Sequence, residues 1–236
     1  MHSPRRLLPI LLPVVPALLG LLPARLPATE ASPPFRVMSF NVRYATAPDG
    51  ENSWDKRTEL FFETIERFGP DLIGFQEVLA VQYDAIAERM KGHAFSGVAR
   101  EDGKRKGEFS SIGYRRSRFM ALDTGTFWLS EQPAVAGSKS WDAALPRICS
   151  WVRLRETATG REFVFANTHF DHRGVTARRE AARVLSEHLG PIAAGVPAIL
   201  TGDFNITEDN PAYAALVRPP QPGWIRWIDS YRALNP

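Results

Sequence analysis

Four apolar runs in this chain stop on polar residues: VMSF runs into Asn41, LIGF into Gln76-Glu77, FVFA into Asn167-Thr168-His169, and VPAIL into Thr201-Gly202-Asp203-Phe204-Asn205. Short runs rich in Val, Ile and Phe read as buried strands, each leaving the interior where its polar group begins. Residues i and i+2 of an extended segment point to the same side, so Asp203 and Asn205 present a carboxylate and an amide to one small volume. Each group has an ordinary reading by itself: Asn41 as a turn former, Glu77 as an acid at a helix N-terminus, His169 as a hydrogen-bonded strand end, Asp203 as the start of a turn. Burial of any of them without a partner is costly, however. Their coincidence at four strand ends points to a site.

The rest of the chain limits how those strands can be arranged. DKRTELFFETIERFG carries Leu60, Phe61, Ile65 and Phe68 on a helical stripe, VLAVQYDAIAERMKG carries Val81, Ala85, Ile86 and Met90 and closes on Gly92, and TARREAARVLSEHLG leads toward VPAIL. FSSIGYRR, FMALDTGTFWLS, PRICSWVRLRE and REFVFANTHF are short runs rich in β-branched and aromatic residues. In the last, Phe163, Phe165, Asn167 and His169 share one face and Val164, Ala166, Thr168 and Phe170 the other. The expected fold is an α/β layered sandwich, two packed sheets flanked by helices. With 236 residues, 44% of them hydrophobic, the chain can form one large domain, placed at residues 32–236.

Residues 1–31 read differently. MHSPRR followed by LLPILLPVVPALLGLLPA is a basic then apolar segment, with Ala24, Ala28 and Ala31 as small residues near a cleavage point. Pro9, Pro13, Pro16 and Pro23 argue against a stable spanning helix, so the segment is expected to be a signal peptide and the protein secreted or periplasmic. A single cysteine, Cys149, leaves no internal disulfide and reads as a small buried apolar residue on a strand. Of the net charge of +3, Arg5, Arg6, Arg25 and Glu30 supply +2, which leaves +1 for the domain. That is weak evidence for a polyanionic partner, and the clusters Lys104–Lys106, Arg115–Arg118 and Arg173–Arg183 read as solvated faces.

Two carboxylates and two amides without a nearby thiolate suit a hard cation, Mg²⁺ or Mn²⁺, better than zinc. MSFNVR, GFQEV, NTHFDH and TGDFN, in that order, resemble the endonuclease/exonuclease/phosphatase superfamily (DNase I-like) over about residues 35 to 236. The resemblance implies a four-layered α/β sandwich with its site at one end of two mixed sheets, and a divalent-metal-dependent phosphoesterase acting by in-line attack of an activated water. It implies Glu77 and Asn41 as metal residues, Asp203 and Asn205 orienting the water, His169 as donor or acid toward the phosphate, and Arg147 as a phosphate clamp. Asn167, Asp171, His172, Trp54, Arg57 and Trp141 are the expected substrate-binding residues, Trp54, Arg57 and Trp141 coming from the WDKR and SWDAALPR segments. Members normally finish on a strand and loop carrying Ser-Asp-His. No such motif follows Asn205, so the sequence is expected to lack its C-terminal segment. The phosphate-ester substrate is left open among nucleic acid, lipid, sugar and inositol phosphates, no protein partner is implied, and a monomer is expected. Two other readings stand beside this one: a secreted glycosidase using the carboxylate pair Glu77 and Asp203, and a non-catalytic binding protein on the same fold.

Overall fold

The computed structural model describes residues 34–217 and 221–235. The expected signal peptide at residues 1–31 lies outside them. The first sheet holds β1 (Val37–Asn41), β2 (Leu72–Gln76), β3 (His93–Ser96) and β4 (Ile112–Arg115) in the order β1-β2-β4-β3, with β1 and β2 parallel and the other pairs antiparallel. The second holds β5 (Phe119–Trp128), β6 (Ile148–Glu156), β7 (Glu162–His169) and β8 (Ala198–Asp203) in chain order, with only the β7–β8 pair parallel.

Three apolar clusters stack these sheets into four layers. Helices α1 (Trp54–Phe68) and α2 (Ala80–Arg89) contribute Trp54, Phe61, Phe62, Ile65 and Ile86, which pack with Ile73 and Phe75 of β2. Between the sheets lie Leu72, Ile112, Val152, Leu154, Phe163 and Phe165. Helix α3 (Val175–Ile192) sets Ala181, Ala182, Leu185 and Leu189 with Ala166 and Phe170, joined by Leu216 of α4 (Pro211–Val217). A short last helix, α5 (Ser230–Leu234), is capped by the Asp229 carboxylate, which accepts from the backbone N–H groups of Tyr231 and Arg232. This is the layered α/β sandwich expected from the sequence. The alternation on β7 also holds, with Phe163 and Phe165 facing the other sheet and Ala166 facing α3.

Two local expectations shift. Along α1 the buried face runs through Trp54, Phe61, Phe62 and Ile65, and it leaves Leu60 65% and Phe68 40% exposed. The stripe is therefore rotated toward Phe62. The four-residue strand β3, HAFS, pairs only with β4 at the sheet edge and is too short to give a periodic signal.

A polar staple crosses the otherwise apolar space between the sheets. Asn167, fully buried on β7, donates from Nδ2 to the carbonyls of Phe75 (2.7 Å) and Ser111 (3.1 Å), and its Oδ1 accepts from Gln76 Nε2 (2.7 Å) and Thr201 Oγ (3.1 Å). Asn167 was expected among the substrate-binding residues. The structure instead spends its whole amide on hydrogen bonds to Phe75, Gln76 and Ser111 of the facing sheet region and to Thr201 of β8. Gly74 makes the approach possible, since a Cβ at this position would lie 2.1 Å from the Thr201 hydroxyl and 2.4 Å from Asn167 Oδ1. Asn167→Ala leaves several buried polar groups unpaired and is expected to destabilise the fold by about 3 kcal/mol. Urea denaturation checks this, and a loss below about 1 kcal/mol would contradict the staple.

Candidate active site

The parallel pairs β1–β2 and β7–β8 bring their carboxyl ends together, and the polar residues that end them meet there. Asn41 Nδ2 donates both to Glu77 Oε1 at 2.8 Å and to Asp203 Oδ2 at 2.9 Å, so one amide ties a carboxylate from each sheet. Its Oδ1 accepts from the backbone N–H of Arg43, and Glu77 Oε2 accepts from that of Tyr44. The buried side chain of Gln82 fixes this loop from below, accepting from the N–H groups of Ala45 and Leu79 and donating to the Arg43 carbonyl. Arg43, Glu77 and Asn205 adopt left-handed backbone conformations with φ of 56°, 63° and 51°. Each such non-glycine residue costs about 1–2 kcal/mol. The strain is concentrated around the two acids, where side-chain direction matters more than backbone comfort. Asn205 closes the β8 end by donating its backbone N–H to Asp203 Oδ1 (3.0 Å) and its side-chain N–H to the Phe170 carbonyl (3.0 Å).

Next to this pair lies a buried ionic cluster. His169 Nε2 is 3.9 Å from Asp203 Oδ2, and its Nδ1 is 3.9 Å from Glu108 Oε2. Burial, reinforced by the charge of Arg147, holds the His169 imidazole well below its ordinary range despite Asp203, so the ring is neutral near pH 7. Glu108 is gripped by Arg100 through two bonds of 2.7 and 2.9 Å, while burial pushes its carboxyl upward against the guanidiniums of Arg100 and Arg147. Arg147 Nη1, Arg100 Nε and His169 Nδ1 are buried without hydrogen-bond partners. The open guanidinium donors of Arg147 and Arg100 mark a place that an anion can complete.

Asp171 organises the other wall. Its Oδ1 accepts from the N–H groups of Arg173 and Gly174, and its Oδ2 from those of Ala144 and Leu145 and from Arg147 Nε. Burial opposes its charge, but the N–H groups of Gly174, Arg173 and Ala144 and the Arg147 guanidinium outweigh it and hold the carboxyl far below the usual carboxylate range. Arg147 Nη2 lies 2.9 Å from His172 Nδ1, and Arg178 donates to the Asp171 carbonyl. Asp142 fastens the same loop to the start of α3 by accepting from Thr176 and Ala177 N–H.

The structure thus brings Asn41, Glu77, Asp203, Asn205, His169, Arg147, Asp171 and His172 into one neighbourhood. It does not place Trp54 there: that ring is 6% exposed and packs edge-on against Phe61 in the core, as the first buried residue of α1. Arg57 stacks over Trp54 and donates to the Arg43 and Asn52 carbonyls, so it supports the loop above Glu77. Trp141, held at φ 56°, packs partly against the α3 core. Arg100 and Glu108 escaped the sequence reading because they flank the basic stretch KRK, which looks like a solvated turn. The available signal was an acid directly before the strand FSSIGYR. Asn41, Asp203 and Asn205 also border a groove of about 960 Å³ that continues along β8 to Leu216, Trp227 and Ile228.

Among the described residues no cluster of three or more His, Cys, Asp or Glu side chains forms a ready metal cage. The donor set at Asn41, Glu77 and Asp203 nevertheless fits a hard divalent cation. It offers carboxylate oxygens without sulfur, and the two acids, from different sheets, are already drawn to one point by the Asn41 amide N–H groups. A cation with few protein ligands, keeping several waters, is the magnesium habit.

Comparison with known proteins agrees with this geometry. The profile of the Endonuclease/Exonuclease/phosphatase family matches residues 38–232, and the chain belongs to that family. A family protein from Bacteroides thetaiotaomicron of known structure is 42% identical, with a TM-score of 0.73, over 77% of this chain and 67% of that one. The mannosyl-6-phosphatase of Bacteroides thetaiotaomicron VPI-5482 is 41% identical, with a TM-score of 0.75, over 78% and 70%. Among curated proteins, Protein angel of Drosophila melanogaster is 25% identical over 78% of this chain, and the probable RNA exonuclease NGL3 of Saccharomyces cerevisiae is 24% identical over 85%. The chain spans 55% and 43% of the length of those two relatives.

A depressed folded-state value at Asp171 means that its contribution to stability is complete above the unfolded value of about 3.9 and is lost as pH falls through the folded one. Asp171→Asn should therefore be less stable than the parent at pH 7, and the gap should narrow as the parent is taken from about pH 4 toward pH 2. Denaturation midpoints across that range test it. A gap independent of pH would show that the charge of Asp171 is not what holds the loop.

Proposed function

We propose that this protein is a divalent-metal-dependent phosphoesterase that hydrolyses its substrate by in-line attack of a water on phosphorus. The observation that carries the reading is the Asn41 amide joining Glu77 and Asp203 directly beside neutral His169 and the open buried donor of Arg147. Glu77 with Asn41 would hold Mg²⁺ or Mn²⁺, which when bound supplies positive charge to the nonbridging phosphate oxygens. Asp203 is one-third exposed, with a side-chain exposure of 33%, and its position suits it to orient the attacking water and draw off its proton, with Asn205 fixing the turn that aims it. His169, neutral and close to Asp203, serves as a hydrogen-bond donor toward the phosphate rather than as a preformed cation. Arg147 directs its uncommitted Nη1 at the charge that develops in the transition state. Arg100 grips Glu108 through two bonds and so fixes its carboxyl 3.9 Å from His169 Nδ1.

The finer substrate reading is a phosphomonoester of a small molecule. Its support is the 41% identity to a mannosyl-6-phosphatase, together with a domain charge of only +1 that offers little to a polynucleotide. The basic and apolar character of residues 1–31 supports export to the periplasm or the exterior, and function as a monomer is part of the same reading.

Chelation by EDTA should abolish turnover and Mg²⁺ or Mn²⁺ should restore it, whereas a glycosidase built on the same carboxylates would survive chelation. Glu77→Gln should lose Mn²⁺ binding in calorimetric titration, and an unchanged affinity would remove Glu77 from the metal site. Asp203→Asn keeps the shape of the side chain without its charge, so kcat should fall by about 10²-fold or more with substrate binding retained. A fall of less than about tenfold would make Asp203 a structural residue.

A further inference from the structure

His172 stands exposed on a turn that is otherwise tightly fastened. The two oxygens of its neighbour Asp171 accept five hydrogen bonds, and the Asp171 carbonyl accepts a sixth from Arg178. The ring of His172 meets Arg147 Nη2 through Nδ1 at 2.9 Å. A guanidinium has only donors and keeps its proton, so Nδ1 must be the acceptor and the ring hydrogen must sit on Nε2. The contact fixes one tautomer of a neutral imidazole. Arg147 itself is 5% exposed, spends Nε on Asp171 and Nη2 on His172, and keeps Nη1 buried and open. One rigid unit therefore offers two donors at different depths, a charged one at the floor and a neutral one at the rim.

We propose that His172 is a specificity-determining residue that donates its Nε2 hydrogen to a hydroxyl or ether oxygen of the group esterified to the phosphate, while the phosphate itself lies on Arg147. The inference rests on the phosphoesterase reading above. Depth decides which part of the ligand goes where: the phosphate must reach the buried level of Arg147 and His169, which leaves the organic portion at the level of His172. The character of the rim selects its chemistry. A neutral donor is poorly suited to following a polyanion, and the domain as a whole carries a net charge of only +1. The ligand class that matches is a phosphomonoester of a sugar or another polyol.

The test compares a hexose 6-phosphate with p-nitrophenyl phosphate, whose leaving group carries no hydroxyl, and with a dinucleotide, using the parent, His172→Ala and His172→Gln with Mg²⁺. His172→Ala should lower kcat/KM for the hexose phosphate by about tenfold more than for p-nitrophenyl phosphate, mainly through KM. His172→Gln, which keeps both an acceptor for Arg147 and an N–H donor, should recover most of that difference. Equal losses on the two substrates would overturn the proposal, because His172 would then act only by steadying Arg147. A larger loss on a dinucleotide than on the hexose phosphate would overturn it as well, in favour of a nucleic-acid rim. Parent protein inactive on all three substrates would instead refute the underlying phosphoesterase reading, and thermal midpoints of the variants separate misfolding from lost recognition.

Discussion

Two sheets that pack through phenylalanine, leucine and isoleucine must also bring carboxylates together at one end, and the buried amide of Asn167 is what reconciles the two demands. Its four hydrogen bonds reach β2, the residue before β4, and β8, so the sheets are registered against each other within a few residues of Glu77 and Asp203. A purely apolar interface could slide by small amounts at little cost. An amide with all four valences taken cannot, because any slip strands a buried donor or acceptor. Gly74 is the complement of this amide, giving up its side chain so that Asn167 and Thr201 can approach the β2 backbone.

The site itself is an arrangement of charges held slightly short of balance. Asn41 moderates the repulsion between Glu77 and Asp203 by donating to both, and a cation would do the same more strongly. On the opposite wall, Asp171 takes one guanidinium nitrogen of Arg147 and His172 another, leaving a third with nothing to bind. Open donors of Arg147 close to a pair of acids suit the proposed phosphate site, in which the acids would hold a cation and the arginine would meet the phosphate. The left-handed backbone at Arg43, Glu77 and Asn205 fits the same picture, since local comfort has been given up where side-chain direction is fixed by the chemistry.

Much of this was legible in the chain. The layered fold follows from apolar runs of strand length alternating with helical stripes, and the meeting of Asn41, Glu77, His169 and Asp203 follows from polar groups ending four such runs. What the sequence hid was pairing between distant elements. Period two correctly put Asn167 on the face of Phe165 and His169, but nothing in that period says that Gln76 and the Phe75 carbonyl lie opposite. Trp54 precedes Phe61 by seven residues and so belongs to the buried stripe of α1, although its place in a polar segment suggested a pocket wall. Arg100 and Glu108 pair across a tight loop whose intervening lysines and arginine advertise only solvent. Their neighbours are distant in sequence, Trp128 at the Arg100 carbonyl and His169 beside Glu108, which local composition does not encode.

The central claim is that this site directs a water at phosphorus. Hydrolysis of a phosphomonoester in H₂¹⁸O, followed by mass analysis of the released phosphate, tests it most directly. The account predicts one ¹⁸O atom in each phosphate formed with Mg²⁺ and no phosphate release with EDTA. Label found in the alcohol with unlabelled phosphate would mean attack at carbon, and would contradict it.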